Sequence, residues 1–144
     1  MGGMIMNREV KFRGKSTTNK EWKYGIPIAL DDSTITVEDE GVFNDGSASP
    51  FFSKWDFVIS ETIGQFTGFH DQNWKEIYEG DILRFYDNNK EYVCVVGWNN
   101  EVGAWCIRFK GEEYFGIRPL GEWIFEYKIE VIGNIYDNKE LLEE

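Results

Sequence analysis

The chain has 144 residues and a formal net charge of −11, from 26 acidic and 15 basic side chains. That length holds one domain or two small packed ones with a proper core, and so acidic a balance argues against general binding to a phosphate backbone, whose affinity comes from Lys and Arg. Six Trp, seven Tyr and eleven Phe beside fifteen Gly and only three Pro point to pleated, turn-rich structure rather than long helices.

In chain order, Val10 and Phe12 alternate with Lys11 and Arg13 and give a short strand ending at Gly14. Ser16 to Lys20 is a polar turn, and Trp22 and Tyr24 lead into a second strand, Gly25 to Leu30, which Pro27 places at an edge or a bend because it has no N–H to donate. Asp31-Asp32-Ser33 turns the chain into Thr34-Ile35-Thr36-Val37, making a hairpin. Residues 38–54 read as a long surface loop, acidic at first and carrying Phe51 and Phe52, with Trp55 just beyond. Ile63 to Phe69 alternates again, His70-Asp71-Gln72-Asn73 supplies turn chemistry, and Lys75 to Glu79 extends before Glu79-Gly80-Asp81 punctuates. Strands follow over 81–86, over 92–98, which is apolar on both faces and therefore central, and over 104–109. The last strands are expected over 123–127 and 129–136, with a short acidic helical tail after Asp137-Asn138.

The stretch GQFTGFHDQNWKEIYEGDIL, residues 64–83, resembles the central signature of the YopX-like family of small bacteriophage and prophage proteins, whose usual form is close to GQ-Tyr-TGL-x-D-x-x-GKEIYEGDI. Val10 to Lys15 and Ile129 to Asn138 resemble its flanking blocks, in the same order. The sequence departs from the pattern at Phe66, at Phe69-His70 and at Trp74, where the family commonly has Gly. Trp does not take positive φ cheaply, so a longer turn or one of another type is expected there. The resemblance implies a phage origin and a compact β-rich fold, with no established activity to carry over.

Short strands, turn signals every eight to twelve residues and no sustained 3.6-residue period predict an all-β protein with minor short helices. We expect an irregular N-terminal β region over 1–61, with a long loop and a role in oligomerisation, followed over 62–144 by a small SH3-like β-barrel with a short helical tail. Fold analogy of that kind carries no function.

Catalysis needs a positioned base, nucleophile or metal. The one His, His70, lies in a predicted turn beside Asp71, where neighbouring side chains usually point apart. There is no C-x-x-C, no H-E-x-x-H, no phosphate loop and no nucleophile elbow. No enzyme, no catalytic, cofactor-binding or metal-ligating residue and no cofactor is therefore expected. The Met1 to Met6 start lacks the basic and apolar regions of a signal peptide, and no apolar run approaches the ~20 residues of a membrane span. The expectation is a protein of the bacterial host cytoplasm, without membrane contact, in which Cys94 and Cys106 are buried free thiols.

Aromatic residues are the remaining candidates. Trp98 and Trp105 flank a turn on paired strands and can share a face, with Tyr114 and Trp123 nearby. These four form a candidate contact surface, the alternative being that a small barrel fills its core with such rings. Lys11, Arg13 and Lys15 are a candidate basic patch in a basic start, since residues 1–23 carry six Lys/Arg against two Glu. Trp22, Phe51, Phe52 and Trp55 exceed what a short sheet can cover and are candidate oligomer contacts. The preferred reading is a phage-encoded non-enzymatic protein acting through protein–protein contacts and self-assembly, on itself and on a host or phage protein. A single-stranded nucleic-acid-binding barrel and an acidic DNA mimic are the alternatives, nucleic acid being disfavoured by the charge.

Overall fold

A computed structural model describes residues 9–37 and 54–143. The chain divides into two compact units, Met1–Gln65 and Phe66–Glu144. The fold class is all-β, built from antiparallel pairings.

The N-terminal unit contains β1 (Phe12–Lys15), β2 (Trp22–Ala29), β3 (Thr34–Val37), β4 (Trp55–Val58) and a 3-10 turn, Ser60–Thr62. These strands lie in the order β4-β3-β2-β1, and Phe12 and Arg13 also pair with Gln65 and Gly64. The ends of the row meet. Ser16 and Val58 form an isolated bridge, Thr17 donates its N–H to the Phe57 carbonyl at 3.0 Å, and the Ile59 N–H reaches the Lys15 carbonyl at 2.8 Å. The tight curl explains the small residues inside it. A Cβ on Gly14 would sit 3.1 Å from the Val58 Cβ, and Thr36 and Val58 on the same face are buried. The Ser16 hydroxyl donates to Asp56 and accepts the Thr18 N–H, holding the turn after β1. Pro27 pairs with Thr36 in the half of β2 that extends beyond the ladder with β1, so its missing donor falls where the strand has one neighbour among the described residues.

The C-terminal unit holds the remainder of β5 (Gly64–His70), β6 (Glu76–Tyr78), β7 (Asp81–Asp87), β8 (Lys90–Asn99), β9 (Ala104–Phe109), helix α1 (Leu120–Glu126), β10 (Glu130–Asn134) and a 3-10 turn, Lys139–Leu142. The hairpin expected around residue 72 is present, with Phe66 opposite Tyr78 and His70 opposite Glu76. A four-stranded sheet runs β10-β7-β8-β9. No closed barrel is formed by the described residues, and the order is not a simple meander, because β10 returns to pair with β7.

The core takes one face of each strand: Leu83 and Phe85 of β7, Cys94 and Val96 of β8, Trp105 and Ile107 of β9 and Val131 of β10, closed by Ile77 and by Leu120 of α1. The period of two puts these on one side, and the register pairs Leu83 with Cys94 and Val96 with Ile107. On the opposite side Gly97 has no Cβ because the Phe115 ring occupies its place, 2.3 Å from where that atom would be.

The expectation of a strand over 123–127 is corrected: the segment is the end of α1. Leu120, Trp123, Ile124 and Tyr127 recur at i, i+3, i+4 and i+7, a helical stripe, and all four pack into the core. Pro119 stands before the first turn, where a missing N–H costs nothing. The tail helix is a single 3-10 turn. Cys94 and Cys106 are both buried and free, on opposite faces of adjacent strands.

Candidate functional site

Asp71 is buried in the β5–β6 turn, and its carboxylate is fully engaged by backbone. Oδ1 accepts the N–H groups of Asn73 and Lys75 at 2.9 and 2.8 Å, and Oδ2 accepts that of Val131 at 3.0 Å. It therefore fixes the hairpin to β10 and does not orient His70. The His70 ring instead stacks on Trp74 with centroids 4.2 Å apart and planes 4° from parallel. The expectation of a longer turn or one of another type rested on Trp avoiding positive φ, and that premise is overturned. Trp74 takes φ 64°, the conformation Gly would supply, and the His70 stack and the Asp71 bonds on either side of it hold that strained residue in place.

The other signature residues are committed in the same way. Gly80 sits at φ 87° with the Tyr136 ring 3.4 Å from where its Cβ would be, and Asp81 accepts the Tyr78 N–H at 2.7 Å. Asn134 accepts the N–H groups of Tyr136 and Asp137, and Asn138 Oδ1 receives the Asn134 N–H. A Cβ on Gly133 would lie 2.5 Å from that oxygen. These blocks build turns and ladders. Among the described residues no group of three or more His, Cys, Asp or Glu is placed to hold a metal ion.

The four aromatic candidates do not form one surface. Trp98 and Trp105 are direct cross-strand partners with centroids 5.0 Å apart at 72°, but Trp105 is buried in the core and Trp98 is 42% exposed with its indole N–H donated to Asn100. Trp123 packs against Phe85, Phe109 and Tyr127. Tyr114 is exposed in the loop before α1. The nearby cations are engaged. Arg84 bonds Glu130 at 2.9 Å, which raises its pKa, Arg118 pairs with Glu112 and holds that carboxyl below its usual range, and Arg108 lies over Phe115.

In the N-terminal unit, the candidate basic patch is spread over different environments. Lys11 pairs with Glu9 at 3.3 Å, Arg13 is buried with its guanidinium 4.5 Å above the Trp22 ring, and the Lys15 ammonium is 5.7 Å from the same ring. Trp22 is thus half-buried under two cations. Phe51 and Phe52 lie outside the described residues. Trp55 is 51% exposed and joins a surface that the residue-by-residue reading missed. Register aligns Trp55, Val37 and Ile26 in one row and Phe57, Ile35 and Ile28 in the next, with Tyr24 two residues before Ile26 on the same face. Tyr24, Ile26, Trp55 and Phe57 are all exposed. The signal for this face was in the sequence, as odd-numbered apolar residues in β3 and β4 facing even-numbered ones in β2, and pairing register was needed to see it.

The family model described as YopX protein matches residues 5–143. The chain belongs to the YopX family. Its architecture is similar to that of protein EF1440 from Enterococcus faecalis, a crystal structure matched with a TM-score of 0.62 at 24% identity, over 95% of this chain and 100% of that one. At that identity the likeness shows the fold alone. No curated protein matches the sequence. The YopX signature of residues 64–83 thus coincides with the turn-forming Asp71, Gly80 and Asp81 described above. No described helix is long and apolar enough to cross a membrane.

Proposed function

We propose that this protein performs no catalysis and acts through protein–protein contacts and self-association, with the exposed face of β2, β3 and β4 as its contact surface. In this reading it is a phage or prophage product that works in the cytoplasm of the bacterial host. The observation that carries the proposal is the side-by-side exposure of Tyr24, Ile26, Trp55 and Phe57. Contiguous exposed apolar residues of this size are uncommon on a monomer with no partner. Covering the exposed part of each contributes about 1 kcal/mol, which must exceed the cost of association, so a moderate affinity is expected. A single-strand binder is the weaker reading, because it needs accessible ring faces beside available cations and Trp105 and Trp123 are packed inside. A DNA mimic would need ordered rows of acids, for which no observation speaks.

Sedimentation across a range of concentrations tests the proposal. The expected result is reversible association that the paired substitutions Trp55→Ser and Phe57→Ser weaken by about tenfold or more. A monomer at every concentration, or association indifferent to both substitutions, overturns it.

A further inference from the structure

The inner stripe of α1 is spent on the core through Leu120, Trp123 and Ile124. Its outer stripe is Gly121, Glu122, Phe125 and Glu126, which together line an open depression. Phe125 is 95% exposed and packs against no other ring among the described residues. Gly121 has a purpose here: a Cβ would come within 3.0 Å of the Phe69 ring, so the missing side chain lets Phe69, itself 37% exposed, lie against the helix. Phe69 thus lies beside Gly121, and Phe125 stands one helical turn further along the same stripe, edged by two carboxylates also one turn apart. Neither Glu122 nor Glu126 has a cationic partner among the described residues.

We propose that this stripe is a docking site for a cationic polypeptide segment, one that covers Phe125 with an apolar side chain and sets Lys or Arg against Glu122 and Glu126. The charge of the rim selects the occupant. Two carboxylates repel nucleic-acid phosphates and anionic lipid headgroups, and they attract Lys and Arg at the edge of an apolar contact, where complementary charge sets orientation and specificity. A bare Phe gains nothing from water and gives such a contact its centre, while the carboxylates at its edge remain partly solvated. The site lies in the C-terminal unit and does not depend on self-association through the N-terminal face, so the two can fail separately.

The test uses the full chain, isotopically labelled, titrated with a short amphipathic Lys/Leu peptide and with the same peptide carrying Glu in place of Lys. Amide shifts are expected to concentrate at residues 68–70 and 121–127. Phe125→Ser should weaken the Lys/Leu peptide by about tenfold, and the pair Glu122→Lys and Glu126→Lys should transfer binding to the Glu/Leu peptide. All three positions are at the surface, so folding is checked by the unchanged spectrum elsewhere. The proposal is overturned if the peptide fails to bind up to about 1 mM, if the shifts fall elsewhere, or if Phe125→Ser binds within about twofold of the native chain. That last result would mark a non-specific attraction to an acidic protein.

Discussion

Gly14, Thr36 and Val58 occupy the buried face of the N-terminal unit, while Tyr24, Ile26, Trp55 and Phe57 are on the open one. The C-terminal unit reverses this arrangement: Phe85, Trp105 and Ile107 are inside, and α1 closes over them. Both units use alternating strands of similar composition, so alternation alone does not say which face is covered. The curl of the sheet does. The Ser16–Val58 bridge draws the ends of β1 and β4 together, and Gly14 then lies so close to Val58 that a larger side chain does not fit there, while Tyr24, Trp55 and Phe57 are on the other face. The four-stranded sheet of the other unit packs rings and a helix on its core face. The same residue types are therefore buried in one unit and exposed in the other.

The largest expected effect separates those two placements. Phe85 is 2% exposed and has four aromatic neighbours, Tyr92, Phe109, Trp123 and Tyr127. Phe85→Ala should cost about 3–5 kcal/mol in chemical denaturation, the usual range for truncating a buried Phe. Trp55→Ser, a larger truncation by volume, should change monomer stability by only about 0.5 kcal/mol. Comparable losses from both would show that Trp55 is part of a core and remove the contrast.

A smaller effect bears on how the C-terminal unit holds its hairpin. Asp71→Ala leaves three backbone N–H groups without their acceptor. Bonds to a charged group are worth about 1.5–3 kcal/mol, and water can reach part of this turn, so a loss of about 2–3 kcal/mol is expected. Amide exchange at Asn73, Lys75 and Val131 should quicken together. If only the turn residues respond, the link to β10 contributes nothing.

How much of this was legible follows from whether the decisive information is local. The β5–β6 hairpin and the turn at Gly80 were readable, because Asx and Gly chemistry acts within a few residues, whereas the last strand, expected over 129–136, ends at Asn134, where the Asn134 side chain turns the chain. Helix α1 was misread because Trp123, Phe125 and Tyr127 mimic an alternating strand, while the spacing of Leu120, Trp123, Ile124 and Tyr127 is the stripe that folds. Trp74 misled in another way. A rule about φ predicted a different turn, and the stack on His70, a tertiary-scale contact within the hairpin, overrode it. The candidate surfaces were the least legible. Whether Trp105 is core and Trp55 is not depends on curl and register, which no single strand encodes, and Phe51 and Phe52 lie outside the described residues.

The smallest effect uses the C-terminal core as its own reporter. Cys94 is fully buried on the core face of β8, and burial pushes its thiol pKa up from 9.0 to about 12. Well below pH 9 the thiol is protonated in the folded and the unfolded chain alike, and it adds no pH dependence. Above that, the unfolded chain loses the proton while the folded chain keeps it until about pH 12. The folded state then binds more protons, so this group's contribution to stability falls as pH rises, by about 1.4 kcal/mol per pH unit. Cys94→Ala removes that dependence while leaving every Tyr, Lys and Cys106 in place. Urea unfolding of both proteins from about pH 8 to about pH 10 should show the native chain losing about 1.4 kcal/mol more than the variant over that interval. Parallel pH curves would mean that solvent reaches the thiol in the folded state, and the core beneath β8 would then be more open than the burial of Cys94, Val96 and Ile107 requires.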